Sequence, residues 1–308
     1  MKGSANLSIY LLGRLIKQRR EELGLSQEDL ADGICSVPTL SRIENGERLP
    51  NKSHSEMLLQ RLGYSDMMHI SYVTEKTLEL HELKFKIRQA IIHNRRGEGE
   101  ALLEKFSSLS DHSDCISAQF ILIYKTILSD QLDISSRMGC FLKAIRMTCP
   151  NFSAENFPSF LSYEEIIAIN NYANCKGEKG ELAEAIDILF SLKKHYDYRM
   201  TNQEEILRTQ LMVLYNLSKF LGMAGRYDEC IEICDTGIRI SRETRRCSHL
   251  DRLYYNKSWA MLKRNQLQDH QLAEEAIRMA ICIADGLGNN LFKQHYIHFR
   301  QEHFENNH

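Results

Sequence analysis

Apolar residues recur every three to four positions through almost the whole chain, a period near 3.6 residues that marks one-sided helices. The alternating, β-branched runs bounded by turn residues that mark strands are missing. The pattern therefore predicts an all-α protein. Near the front, Tyr10–Leu23 mixes apolar and basic positions at helical spacing and stops at Gly24, a C-cap residue. Ser26 follows, with Asp29 three positions on, and this capping arrangement predicts a second helix from Gln27 to about Asp32. Gly33 breaks it. Ser36 then caps a third helix with Pro38 in its first turn, where a missing N–H costs little, and Asn45-Gly46 ends it. Two short helices joined by a glycine-containing turn, with a supporting helix in front, make a helix-turn-helix.

From about residue 80 onward the helices come in pairs of similar length. "IAINNYANCKGEKGELAEAIDILFSL" (Ile167–Leu192) and "MVLYNLSKFLGMAGRYDECIEICDTG" (Met212–Gly237) superimpose without gaps, Gly180 on Gly225, Leu182 on Tyr227, Ala185 on Cys230 and Leu189 on Cys234. A glycine between amphipathic stretches, then a small residue where two helices approach, is what a tight antiparallel pair requires. This resembles the tetratricopeptide repeat, whose helix pairs of about 34 residues stack into a solenoid. "YYNKSWAML" (Tyr254–Leu262) starts a looser third copy, and earlier degenerate pairs bring the expected total to about five, closed by a helix near Leu291–His303. The expected organisation is a helix-turn-helix domain over 1–64, a connecting helix over 65–80, and over 81–308 an α-solenoid of tetratricopeptide-like helix pairs with a C-terminal capping helix.

Composition adds limits. A length of 308 residues suits about two domains. Four prolines and 39 basic against 41 acidic residues argue against disorder and against a polyelectrolyte tail. The first 63 residues hold nine Lys/Arg and eight Asp/Glu, so affinity for nucleic acid would have to come from a local patch such as Arg14, Lys17, Arg19 and Arg20. Nine cysteines at irregular spacing read as reduced thiols packed in a core, and none stands at zinc-ligand spacing. "IYLLGRLI" is interrupted by Arg14 well short of a membrane span. With no Gly-rich phosphate loop, nucleophile elbow or metal-binding histidine pair, the chain reads as a non-enzyme without cofactor or metal. The runs "EGEALLEKF" and "YEEI" read as solvated helix faces.

"LSQEDLADGICSVPTLSRIENGERLPN" resembles the phage-repressor type of DNA-binding domain almost residue for residue. The resemblance implies that the third helix enters the major groove with Val37, Pro38, Thr39 and Arg42 facing bases. Ser26, Gln27 and Ser36 would meet phosphates at helix N-termini, with Arg48 and Lys52 following in the loop. Arg42 can fork onto guanine. Arg20 and Glu44 stand where that family places a partly buried ion pair.

A repressor-type head followed by such an array is similar to the Rgg and PlcR group of peptide-pheromone regulators. That resemblance implies a cytoplasmic homodimer controlling transcription, which binds a double-stranded DNA operator and a short signalling peptide in the concave groove of the repeats, with no membrane partner. Asparagine recurs at one position of the first helix in three successive pairs, Asn171, Asn216 and Asn256, and an amide can both donate to and accept from peptide backbone. On the same face stand Asn170, Asn174, Tyr215, Lys219, Tyr255 and Trp259. Lys84 and Arg88, on the equivalent helix of the first pair, read as solvated charges or as holders of a peptide carboxylate. A small-molecule sensor with the same head, or a repeat-based protein adaptor, are the alternatives.

Overall fold

The computed structural model describes residues 2–63, 75–111, 113–153, 157–158, 160–196, 204–266 and 268–305, with the backbone alone at 2–11, 52, 75–78, 81 and 204–205. Among these every regular element is helical: α1 Lys2–Glu22, α2 Gln27–Ala31, α3 Val37–Glu44, α4 Lys52–Arg61, α5 Glu75–Ile92, α6 Arg96–Leu109, α7 Cys115–Leu128, α8 Ile134–Thr148, α9 Tyr163–Glu178, α10 Leu182–His195, α11 Glu204–Met223, α12 Tyr227–Thr244, α13 Leu250–Arg264, α14 Asp269–Gly286 and α15 Asn290–Arg300, which runs on into a π-helical turn, Gln301–Glu305. The first helix begins at Lys2 rather than Tyr10. Most of the stretch read as a connecting helix lies outside the described residues, and its last residues belong to α5. The chain packs as two compact units, 1–175 with 199–201, and 176–198 with 202–308, so the division falls inside α9.

In the first unit, side chains fold the front of the chain by local chemistry. Ser26 accepts the Asp29 backbone N–H at 3.0 Å while the Asp29 carboxylate accepts the Ser26 N–H at 2.9 Å, closing a capping box on α2. Ser36 and Asn51 cap α3 and α4 by accepting the Thr39 and His54 backbone N–H groups. The apolar faces of these helices converge as Ile16, Leu30, Ile34, Leu40, Ile43, Leu58 and Leu62. The same cluster includes Ile116 of α7, so the head's core is completed by the repeats.

Gly33 shows how closely they meet. Its φ is +68°, and a Cβ there would stand 1.7 Å from the Thr148 carbonyl oxygen at the end of α8. Only glycine satisfies both conditions.

Beside that contact lies Arg61, the last residue of α4. Its guanidinium donates to the carbonyls of Leu30 (3.3 Å) and Asp32 (2.6 Å) at the end of α2, to Thr148 O (3.0 Å), and to Glu165 Oε1 (2.7 Å). Glu165 in turn caps α9, accepting the Ser162 N–H at 2.6 Å. The neighbouring Glu164 is ion-paired with Arg88 of α5 and accepts the Tyr124 hydroxyl at 2.9 Å. Both carboxylates of "YEEI" are therefore buried in ion pairs, against their reading as a solvated face, because α9 enters the molecule between α4, α5 and α7. Lys84 and Arg88 are likewise engaged: Lys84 lies 3.8 Å from Glu56, and Arg88 packs over the Tyr163 ring at 4.4 Å.

In the second unit α11/α12 and α13/α14 are antiparallel pairs, with α15 packed on α14. Gly225 turns the first pair at φ +75°. Gly237 lets α12 approach α13, since a Cβ there would stand 2.6 Å from Leu253 Cδ1. Cys230 and Cys234 are buried beside it as free thiols. Among the described residues no cluster of three or more His, Cys, Asp or Glu is placed to hold a metal, and no helix is long and apolar enough to cross a membrane.

Burial alone would raise the Glu165 carboxyl, but the Arg61 charge and hydrogen bonds bring it down to about 2. A depressed carboxyl stabilises the fold above its unfolded value near 4.3 and stops doing so as pH falls towards about 2. Glu165→Gln, which leaves Arg61 buried without its counter-charge, should lower unfolding free energy by about 3 to 5 kcal/mol at pH 7. Denaturant titrations at pH 7 and pH 3 should show the difference shrinking in acid.

Candidate nucleic-acid interface and ligand face

On the head, α3 presents Pro38 and Arg42 to solvent one helical turn apart, with Val37 and Thr39 half-buried beside them. Ser36 caps this helix and shares a 2.9 Å hydrogen bond with the Thr39 hydroxyl, fixing both side chains at its N-terminus. Ser26 is exposed at the start of α2, and Arg48 is exposed after the Asn45-Gly46 turn, whose N–H groups at Glu47 and Arg48 donate to the Arg42 carbonyl. The Lys52 side chain lies outside the described residues.

Gln27 is more constrained than a free phosphate ligand: its amide donates to Glu44 Oε2 at 2.8 Å. Glu44 is buried and held bidentately by Arg20, at 2.6 and 2.9 Å, while Arg20 also donates to Leu25 O. These three residues brace α1, α2 and α3 together. Of the basic patch expected on α1, Arg20 is thus internal and Arg19 is paired with Glu22 at 3.0 Å, leaving Arg14 and Lys17 as its exposed members. Arg42 on the recognition helix and Arg48 just after it are exposed cations.

The repeat face divides by unit. On α9, Asn170 is buried, Asn171 donates back to the Ile167 carbonyl at 2.8 Å, and the Asn174 side-chain oxygen is buried without a hydrogen-bond partner among the described atoms. In the second unit Asn216 and Asn256 are buried, and Asn256 bridges two helices, donating to Ser218 Oγ (2.9 Å) and the Tyr215 carbonyl (3.3 Å) of α11. Asn256 thus points into the seam between α11 and α13, behind the face rather than on it. The half-exposed groups are one residue earlier and three later: Tyr215 and Lys219 on α11, Tyr255 and Trp259 on α13. Tyr255 packs against His295, Tyr296 and Phe299 of α15, and Trp259 meets the Tyr227 ring at 6.0 Å.

Two residues outside the sequence reading join this face. His249 precedes α13 in the left-handed region (φ +56°) and stacks flat on Tyr215, ring centroids 5.6 Å apart and planes 4° from parallel. Burial, with Arg252 and Arg208 nearby, pushes its pKa down to about 3, so the ring is neutral at physiological pH. Arg252 lies over Tyr215 (5.2 Å) and over Phe292 of α15 (4.4 Å). Neither residue follows the repeat register, which is why the register did not mark them.

Comparison with known proteins agrees with this architecture. Residues 16–66 match the helix-turn-helix family, and residues 151–304 match the RNPP family C-terminal domain. No curated protein sequence matches. Among solved structures, the chain is similar to Bacillus thuringiensis PlcR in complex with the peptide PapR7 and DNA, with 19% identity, a TM-score of 0.62, and 93% of this chain and 98% of that chain covered. It is also similar to PlcR of the same organism in its apo form, at 18% identity and TM-score 0.59, over 94% of this chain and 98% of that one. ComR from S. thermophilus, in complex with DNA and its signalling peptide, has 17% identity and a TM-score of 0.49, over 94% of this chain and 99% of that one. The RNPP match extends over half of the sequence, through the helices that carry Asn216, Asn256 and Arg252, and the chain belongs to the RNPP family.

Proposed function

We propose that this protein is a cytoplasmic transcription regulator that binds a two-fold operator as a homodimer and is controlled by a short signalling peptide held on its repeat helices. The observation that carries the reading is the exposed α3 face, Pro38 and Arg42 with Thr39 and Ser36 at its N-terminus, held rigid by the Arg20–Glu44–Gln27 brace on an RNPP-family chain. A helix whose first turns are exposed and whose opposite face is buried has the geometry to enter a major groove. Val37 and Pro38 offer thymine methyl contact, and Arg42 offers bidentate donors to guanine. Ser26, Gln27, Arg48 and Lys52 then position the backbone.

The likeness to PlcR, solved with a peptide and DNA, supports a peptide as the second ligand. In the second unit Tyr215, Lys219, Tyr255 and Trp259 supply the contact surface, with Asn216 and Asn256 fixing the helices behind them. On α9, Asn171 and Asn174 offer amides with Asn170 packed beneath. One head per chain with a near-neutral charge needs a second copy for useful affinity, which supports the homodimer.

Arg42→Ala should weaken binding to the preferred operator by about 1 to 3 kcal/mol and relax selectivity at one base step. Lys52→Ala should weaken all sequences about equally. Footprinting and titration against random and selected duplexes separate the two, and equal losses on specific and random DNA would reassign Arg42 to a phosphate. Glu44→Gln should instead lower the thermal midpoint of the head by removing a buried partner of Arg20.

Peptide and operator must influence each other reciprocally if one controls the other, with a coupling of about 1 to 3 kcal/mol. Calorimetry with peptides from short secreted reading frames of the source organism, with and without operator, should give the same factor in both directions. Tyr255→Ala and Trp259→Ala should each weaken the peptide about ten-fold or more, the loss typical of a buried aromatic anchor. Normal regulation by both variants, with no peptide bound, would reject the reading.

A further inference from the structure

On the α11–α13–α15 face, one cation stands out by how it is held. Arg252, half-buried on α13, lies between the Tyr215 and Phe292 rings at 5.2 and 4.4 Å, and its Nη1 lies 3.4 Å from His249 Nδ1. Ring faces and a neutral imidazole fix a guanidinium in place without neutralising it. Among the described residues no carboxylate forms an ion pair with Arg252. The adjacent carboxylate, Asp251, is buried and accepts the Tyr296 hydroxyl at 3.2 Å, and no ion pair joins it to Arg252, although both charges act on Tyr215.

Lys219 and Lys263 each lie over one ring, Phe220 at 4.9 Å and Trp259 at 5.9 Å, where Arg252 is held between two rings and an imidazole, and several other cations of these helices are neutralised by carboxylates. Arg264 is held by Asp269 and Asp228, Lys257 by Asp235, and Lys293 by Asp285. A partly desolvated charge without a counter-ion is costly unless something supplies one. The local field points the same way, since His249 is held neutral by burial and by the positive charges of Arg252 and Arg208. The left-handed backbone at His249 is a further cost that places its ring on Tyr215 and its Nδ1 toward the arginine.

We propose that Arg252, clamped by Tyr215, His249 and Phe292, is the anion reader of the ligand face and receives a carboxylate of the bound peptide. This deepens the peptide reading and rests on it. A carboxylate can take two parallel N–H donors from a guanidinium, and a guanidinium already immobilised by aromatic faces loses little further freedom on making that pair. The carboxylate has two possible sources in a peptide, the C-terminus or an acidic side chain, and both present the same fork to Arg252. Arg252 is thereby a specificity residue, selecting acid over amide, while the flanking Tyr215, Tyr255 and Trp259 rings receive apolar side chains.

The test uses the full-length protein and three hexapeptide pools built from Leu, Ile, Val, Phe and Ala. One pool ends in a free carboxylate, one is C-terminally amidated, and one is amidated with a single internal Asp or Glu. Affinity selection followed by calorimetry on the enriched peptides gives the acid-to-amide ratio for wild type, Arg252→Gln and Arg252→Lys. The expected result is at least ten-fold preference for one carboxylate-bearing pool, abolished in Arg252→Gln and partly retained in Arg252→Lys. Preference for the first pool assigns the C-terminus, and preference for the third assigns an acidic side chain. Loss of that preference with apolar binding retained also excludes mere unfolding of the variant. If peptides bind without regard to charge, or if the acid preference survives in Arg252→Gln, the proposal is overturned and the peptide reading stands. If none of the pools binds wild type, the peptide reading falls and takes this proposal with it.

Discussion

A guanidinium carried into a protein interior brings a charge and five N–H donors, and the surrounding structure has to meet them. For Arg61 the charge and the two terminal nitrogens are met by the carbonyls at the ends of α2 and α8 and by the carboxylate that caps α9, while Nε is buried without a hydrogen-bond partner among the described atoms. Four helices of the first unit therefore end or begin at one side chain. A hydrophobic residue of the same size would pack there, yet it could not satisfy the carbonyls, and the helix ends would have to find water or separate. The pairing thus fixes a relation between the head and the helices behind it that apolar contact, being non-directional, would leave looser.

Gly33 and Ile116 belong to the same arrangement. The glycine allows the α2–α3 turn to lie against the end of α8, and Ile116 closes the apolar core of the head from α7. Adjacent carboxylates on α9 divide the work: Glu165 faces α4 and the head, while Glu164 faces α5 and α7 through Arg88 and Tyr124. The brace inside the head follows the same logic on a smaller scale. Arg20 and Glu44, with Gln27 attached, tie the supporting helix to the recognition helix, so that the exposed side chains of α3 are presented by a rigid body.

The repeat helices of the second unit use their polar residues differently. Asn256 joins α11 to α13 from within, Ser258 donates to the Ala273 carbonyl of α14, and Arg264 ties the turn after α13 to Asp269. Small residues at Gly237 and Gly222 bring the helices close enough for these bonds to form. At the surface of α11, α13 and α15, Tyr215, Tyr255, Trp259 and Phe292 are half-exposed, with Arg252 fixed among them. Aromatic anchors beside a directed charge are the usual chemistry by which a face recognises a short flexible ligand.

Periodicity and capping chemistry act within a turn or two of the chain, and for that reason the helical class, the three short helices of the head and the repeated pairs were legible in the sequence. Ser26, Ser36 and Gly225 act on backbone groups a few residues away, so their spacing alone announces them. The Arg20–Glu44 pair was legible only through a family resemblance, because nothing local joins residues 24 positions apart. Tertiary structure decided which polar residues face inward. "YEEI" looks like a solvated run, although Ser162 and Glu165 do carry a capping-box spacing, and no local rule says that α9 will enter between three other helices. The asparagine register was visible in the repeats, but whether Asn256 pointed to solvent or into the α11–α13 seam depended on the helix crossing. Arg252 and His249 became a site through rings 37 and 34 positions before them and a ring 40 positions after the arginine, contacts that only the stacked repeats bring together.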